Sequence, residues 1–332
     1  MSKILVAIAV GGILLAFPGA VPLRAVSCTD VNGCIWGTRF APSLEISQFE
    51  ISTGTKTGAS FVPALSDGTA YSATTEGKGL TYVSSSALGS NLLYYTVADG
   101  LTFAGDGLIH ISAGGNDIAT LAAPTSTLGT LAYDPTNHIL WASDWNVGNT
   151  NTFWALDPDT GAILPNSALF ATFTLTQPFA GAGVDGMAWI NGFLWINEGD
   201  TFGTYNEYDL LGNATGNSLS TDDGTGSGIA WADSGSEAGK AYIVTSDPGG
   251  NPILGQADLT CVVAPCIAGV PPSIGTGGGF YENIVFQGFT PAVAPELSGT
   301  ILGVESAGGI FSLGMGLLGL VLVRRRSSSP RG

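Results

Sequence analysis

Few side chains in this 332-residue chain could do chemistry, and they are unevenly placed. One set of carboxylates recurs after short apolar runs: Asp99, Asp144, Glu198 with Asp200, and Asp247. Carboxylate oxygens are hard ligands, so such a set brought together would take calcium. An aspartate at a strand end also accepts the amide hydrogen bonds of a turn, and would then recur simply because the element recurs. Two histidines are present. His138 follows Pro135-Thr136-Asn137 in a turn and reads as solvated. His110 lies in an apolar run and reads as packed. Neither has a partner at a spacing that would mark a general base.

Thr225-Gly226-Ser227-Gly228 carries the glycines of a nucleophile elbow but leads into a strand pattern, not a helix. Gly277-Gly278-Gly279 lacks the Lys and the helix of a phosphate loop. Asp222-Asp223-Gly224-Thr225-Gly226 starts like a calcium loop and has no closing Glu. The cysteines form two close pairs, Cys28/Cys34 and Cys261/Cys266. In an oxidising compartment these predict local disulfides. A zinc site is the other reading, although neither pair has the two-residue spacing of a zinc knuckle. The seven tryptophans suit a core, with sugar-binding platforms as the alternative.

Positioning these groups falls to a repeat. Leu131-Ala132-Tyr133-Asp134-Pro135 precedes His138-Ile139-Leu140-Trp141, and Gly186-Met187-Ala188-Trp189 precedes Gly192-Phe193-Leu194-Trp195. Gly79-Leu80-Thr81-Tyr82 and Gly228-Ile229-Ala230-Trp231 open two more units, and Asn283-Ile284-Val285-Phe286 a fifth. Each is a short apolar strand ending in an aromatic, then a turn, then a second apolar strand. The spacing is near the ~40–50 residues of a propeller blade, and no segment between the ends has a long helical period. The fold class expected is all-β, a β-propeller of five or six four-stranded blades over residues 44–290. Strands near Leu44–Ile51 and Ala59–Val62 would close the ring against the last repeat. A β-sandwich is the competing architecture. The pattern resembles bacterial propellers of the NHL and lyase-like kind, which implies an axial channel, and in the enzymes among them a metal or histidine set near the axis.

The two ends read as addresses. Lys3, an apolar Ile4–Phe17 and the small residues Ala20 and Ala25 build a signal peptide over residues 1–25, with an uncleaved anchor as the alternative. Residues 26–43 form a disulfide segment and 291–300 a linker. A transmembrane sorting helix and its Arg stop occupy 301–326, and 327–332 are a cytoplasmic tail. Arginine clusters stay cytoplasmic, so the bulk of the chain faces outward. Pro295-Glu296-Leu297, the apolar span and Arg324-Arg325-Arg326 resemble the PEP-CTERM sorting signal, with Leu297 where that pattern has proline and Glu305 in the spacer. The resemblance implies recognition by an exosortase-type sorting protease that removes the tail.

Charge narrows the partners. Only Arg39, Lys56, Lys78 and Lys240 lie between the targeting ends, against all of the 26 acidic residues except Glu305. Such a field repels nucleic acid. The function expected is that of an exported surface or matrix protein, inner-membrane anchored through its C-terminal helix and then released to the cell surface or medium. Its non-catalytic propeller would bind a polysaccharide or a surface protein. An exported hydrolase or lyase with an axial divalent metal is the alternative.

Overall fold

The computed structural model describes residues 26–39, 44–102, 104–145, 150–176, 184, 186–197, 203–220, 227–246, 252–257, 259, 267–269 and 281–288. The segments read from the sequence as a signal peptide, a sorting motif and a C-terminal span lie outside them. Among the described residues no helix is long and apolar enough to cross a membrane.

Two strands open the chain, β1 (Cys34–Arg39) and β2 (Ile46–Glu50). The first full blade is β3 (Thr75–Ser86), β4 (Gly89–Asp99), β5 (Leu108–Ser112) and β6 (Asp117–Ala122). The second is β7 (Leu128–Asp134), β8 (Ile139–Asp144), β9 (Thr150–Leu156) and β10 (Phe173–Thr176). The third is β11 (Met187–Ile190), β12 (Phe193–Asn197), β13 (Thr204–Tyr208) and β14 (Ala214–Ser220). The fourth is β15 (Ile229–Trp231), β16 (Ala241–Ser246), β17 (Pro252–Ala257) and β18 (Ile267–Gly269). The last strand, β19 (Tyr281–Gln287), pairs antiparallel with β1, and β1 with β2. Bridges Ile46↔Phe61 and Phe49↔Lys56 add a short fourth strand to this closing blade. The inner strands touch in cyclic order: β3 on β7, β7 on β11, β11 on β15, β15 on β19, and β19 back on β3. The chain is a five-bladed β-propeller.

The turns follow local chemistry. Asn191-Gly192, both at positive φ (53° and 95°), make the two-residue hairpin between β11 and β12 that matches strand twist. Between β7 and β8, Asp134 Oδ1 accepts the amides of Thr136 and Asn137 at 2.8 and 3.1 Å, and His138 sits at φ 55°.

A five-fold aromatic repeat holds the ring. Tyr94, Trp141, Trp195, Tyr242 and Trp36 stand on the second strand of each blade, opposite Thr81, Ala132, Ala188, Ala230 and Val285 on the first. All five are at most 2% exposed. Each belongs to a different apolar cluster, and each cluster joins one blade to the next. A twisted blade buries apolar surface on both faces, so the second strand reads as a continuous apolar run; β8, ILWASD, is buried throughout.

One boundary drawn from the sequence shifts. The disulfide segment 26–43, placed outside the ring, supplies β1, the middle strand of the closing blade. Trp36 Nε1 donates to Gln287 Oε1 at 2.6 Å, and Gln287 Nε2 donates to the Val26 carbonyl at 2.9 Å. A six-residue strand that begins at Cys34 and contains Gly37 carries little periodicity, so only pairing to β19 reveals it. Cys28 and Cys34 are disulfide-bonded; Cys261 and Cys266 lie outside the described residues. The bond closes a loop with sequence separation 6 at the ring's seam. Replacing both cysteines with alanine should cost about 2 kcal/mol, read as a lower urea midpoint.

Candidate functional site

Two places gather polar or aromatic groups: the axis and the outer half of the first blade. At the axis, one register decides whether the channel is open. Gly79, Thr130, Gly186, Gly228 and Asn283 occupy the same position of the five inner strands, two residues before the small residue of the aromatic repeat. A Cβ on Gly186 would stand 2.0 Å from the Ser227 carbonyl oxygen, and one on Gly228 would stand 2.5 Å from the Ile284 nitrogen. Backbones therefore touch at this waist, which only glycine permits. Asn283 Nδ2 donates to Thr130 Oγ1 at 2.5 Å, from the closing blade to the second, and both residues are fully buried. The waist is shut.

Past the waist the axis widens into a cavity of about 90 Å³. The residue after the small residue of each repeat borders it, Tyr82, Tyr133, Trp189, Trp231 and Phe286, and so do Ser84, Pro135 and Asp233 two places further on. The tyrosines and tryptophans are half-buried. Tyr82 donates to Asn91 Oδ1 at 2.5 Å, and Tyr133 to the Ser85 carbonyl at 3.1 Å. Burial pushes the Tyr82 phenol up to about 12, so it stays neutral.

Of the acidic candidates, Asp99 and Asp144 do not line this cavity. Asp99 ends β4, where its Oδ1 accepts the amides of Leu101 and Thr102, both at 2.9 Å, and its Oδ2 accepts from Thr74 Oγ1 at 3.1 Å. The Thr102 and Leu101 amides hold its pKa below the ordinary value. Asp144 ends β8, accepts the Thr152 amide at 2.7 Å, and is 6% exposed. Desolvation raises its pKa, partly offset by that amide. Glu198, Asp200 and Asp247 lie outside the described residues. Among the described residues no group of three or more His, Cys, Asp or Glu side chains could hold a metal. His138 is where the turn predicted it, exposed, against Tyr133 Oη at 2.9 Å and Asp159 at 3.3 Å.

His110 has company that spacing did not reveal. Its side chain is fully buried, with Nδ1 2.8 Å from Asp117 Oδ2 and Nε2 2.8 Å from Asp106 Oδ2. Tyr71 donates to Asp117 Oδ2 at 2.9 Å, and Tyr95 donates to its other oxygen. Tyr95 stacks on the imidazole with centroids 5.2 Å apart. Burial opposes a charge here, yet the hydrogen bonds and charges of Asp106 and Asp117 outweigh it, and the pKa of His110 rises to about 9. Burial and the Asp117 carboxylate push both phenols up. Both ring nitrogens are committed, so the imidazole is a buried cation clamped by two carboxylates, not a base facing a substrate. Asp106 was legible in principle, four residues before His110. Tyr71 comes from the connection between β2 and β3, which no local pattern links to β5.

No family profile matches the chain, and no curated protein matches it. Solved structures with a similar trace include a chain of a nidogen/laminin complex, with TM-score 0.42 and 10% identity over 77% of this chain and 99% of that one. The WD40 domain of Toxoplasma gondii coronin gives TM-score 0.38 and 12% identity over 75% and 61%. Glutaminyl cyclase of Myxococcus xanthus gives TM-score 0.34 and 12% identity over 63% and 69%. At these values the likenesses carry nothing about activity.

Proposed function

We propose that the chain is an exported, membrane-sorted protein whose propeller is a non-catalytic binding module. The observation that carries the binding reading is the axis. Its waist is shut by Thr130 and Asn283, and the space beyond is walled by aromatic and aliphatic side chains. The buried His–Asp–Tyr network, the strongest titratable cluster among the described residues, is used up by its own hydrogen bonds. Export is supported by the Cys28–Cys34 disulfide at the ring seam, a bond that persists in oxidising compartments. Pro295-Glu296-Leu297 and Arg324-Arg325-Arg326 supply the sorting signal on this reading, with an exosortase-type protease as processing partner. A polysaccharide or a surface protein would be the loop-side partner, and calcium the ion for any site completed by Glu198, Asp200 and Asp247.

The test is export and fractionation in a Gram-negative host that makes extracellular polysaccharide. The expected result is a membrane-bound precursor outside the cytoplasm that loses its tail when the sorting protease is present. Replacing Arg324, Arg325 and Arg326 with serine should release or misorient the precursor. A chain recovered intact from the cytoplasm would overturn the reading.

A further inference from the structure

We propose that the axial cavity is a binding cup for a trimethylammonium group. The proposal rests on the binding reading above and names a ligand class for that site. Three observations converge on it. First, the cup has a floor, because the glycine waist and the Asn283–Thr130 hydrogen bond close the channel beneath it. Second, its wall is aromatic at one repeated register. Tyr82, Tyr133, Trp189 and Trp231 follow the small residue of four inner strands and line the cavity half-buried. Phe286, at the same register of the fifth, borders it with a ring that is 4% exposed and packed on Gly33. Aromatic rings gathered around one space attract a cation through their quadrupoles, more strongly as the site is desolvated. Third, the charge is one-sided. Asp233 is the charged residue that lines the cup, no Lys or Arg lines it, and the whole chain carries a formal net charge of −16. An acidic field concentrates cations at such a mouth and repels anions.

Size chooses among cationic and neutral guests. An apolar cavity of about 150 Å³ takes up benzene. A cup of about 90 Å³ is smaller than that. It suits a head of ~five heavy atoms rather than a whole hexose ring. A trimethylammonium head has this size, spreads its charge over methyl groups, and loses little hydration on entering an aromatic wall. An ammonium or a metal ion would leave its water behind at greater cost.

The experiment uses the full chain purified in a non-ionic detergent, with choline as probe and 3,3-dimethylbutan-1-ol as its neutral counterpart of the same shape. Choline is expected to change tryptophan fluorescence saturably at millimolar concentration, and dimethylbutanol to give no change in the same range. Asp233→Asn, at an exposed position, should weaken choline about threefold. Trp231→Phe should shrink the fluorescence response and weaken binding while leaving the melting temperature within a few degrees. Vesicles give the second arm. Pelleting with phosphatidylcholine and not with phosphatidylglycerol assigns the group to a lipid head; choline binding without pelleting assigns it to a free solute. Equal binding of dimethylbutanol would overturn the proposal in favour of a merely apolar cup, as would binding of glucose without choline. No response to choline would also overturn it, and would leave the export and sorting reading standing on its own test.

Discussion

Asp117→Ala should lower the stability of the propeller by about 3–5 kcal/mol, the range for removing one partner of a buried charge pair. Three groups depend on that carboxylate: the His110 imidazolium and the hydroxyls of Tyr71 and Tyr95. Asp117 is 4% exposed, so water does not replace the lost bonds. Asp106 remains on the far nitrogen, but its side chain is 37% exposed and screened, so it compensates weakly. The pH dependence separates this cause from a simple cavity. His110 is raised from 6.5 to about 9 in the folded protein, so its contribution is complete below about 6.5 and is lost as the pH rises through about 9. Urea midpoints of the wild type should therefore fall between pH ~7 and ~9.5. In Asp117→Asn, which keeps shape and loses charge, that fall should flatten. A variant that keeps the full alkaline decline would show that His110 is not held as a cation. The same network ties Tyr71, in the connection after β2, to the outer strands of the first blade, so the connection should gain protease sensitivity in Asp117→Ala.

Gly186→Val is expected to cost about 3 kcal/mol or more, at or beyond the top of the range for overpacking. A Cβ at Gly186 meets the Ser227 carbonyl at 2.0 Å and the Gly228 Cα at 3.0 Å, all backbone atoms that no rotamer change can move aside. Relief requires the third and fourth blades to separate, which would loosen the buried cluster of Trp195, Ile229 and Ile243 between them. Gly58→Val is the control. Nothing lies within 4 Å of a Cβ there, so the change should stay within about 0.5 kcal/mol. Denaturant midpoints of the two variants give the comparison. Similar values would mean that the inner strands have room to shift and the waist is not tight.

Particular residues show how far each kind of information reached. The apolar runs Leu131-Ala132-Tyr133 and Met187-Ala188-Trp189, each followed by a turn and a second strand, are local signals, and both hairpins formed where they were read. The five first strands, and the aromatic that ends each, were legible because a repeat restates the same local rule. The closing blade was read less well. Leu44–Ile51 does contribute β2, but the strand that meets β19 is β1, ten residues earlier than the expected edge. The Trp36–Gln287 bond spans 251 residues, and a contact that distant leaves no period in either segment.

The site divides the same way. The sequence by itself determined that the chain has repeated short strands, an acidic middle and apolar ends, because composition, period and turn chemistry act over a few residues. It also placed an aspartate at the end of β4 and of β8. Tertiary structure alone decided what those side chains do. It put Asp99 on its own turn, clamped His110 between Asp106 and Asp117, and shut the axis with Thr130 and Asn283. These outcomes depend on which inner strands become neighbours when the ring closes. That is fixed by packing of five blades around one axis, where contacts between residues far apart in the chain outweigh any local preference.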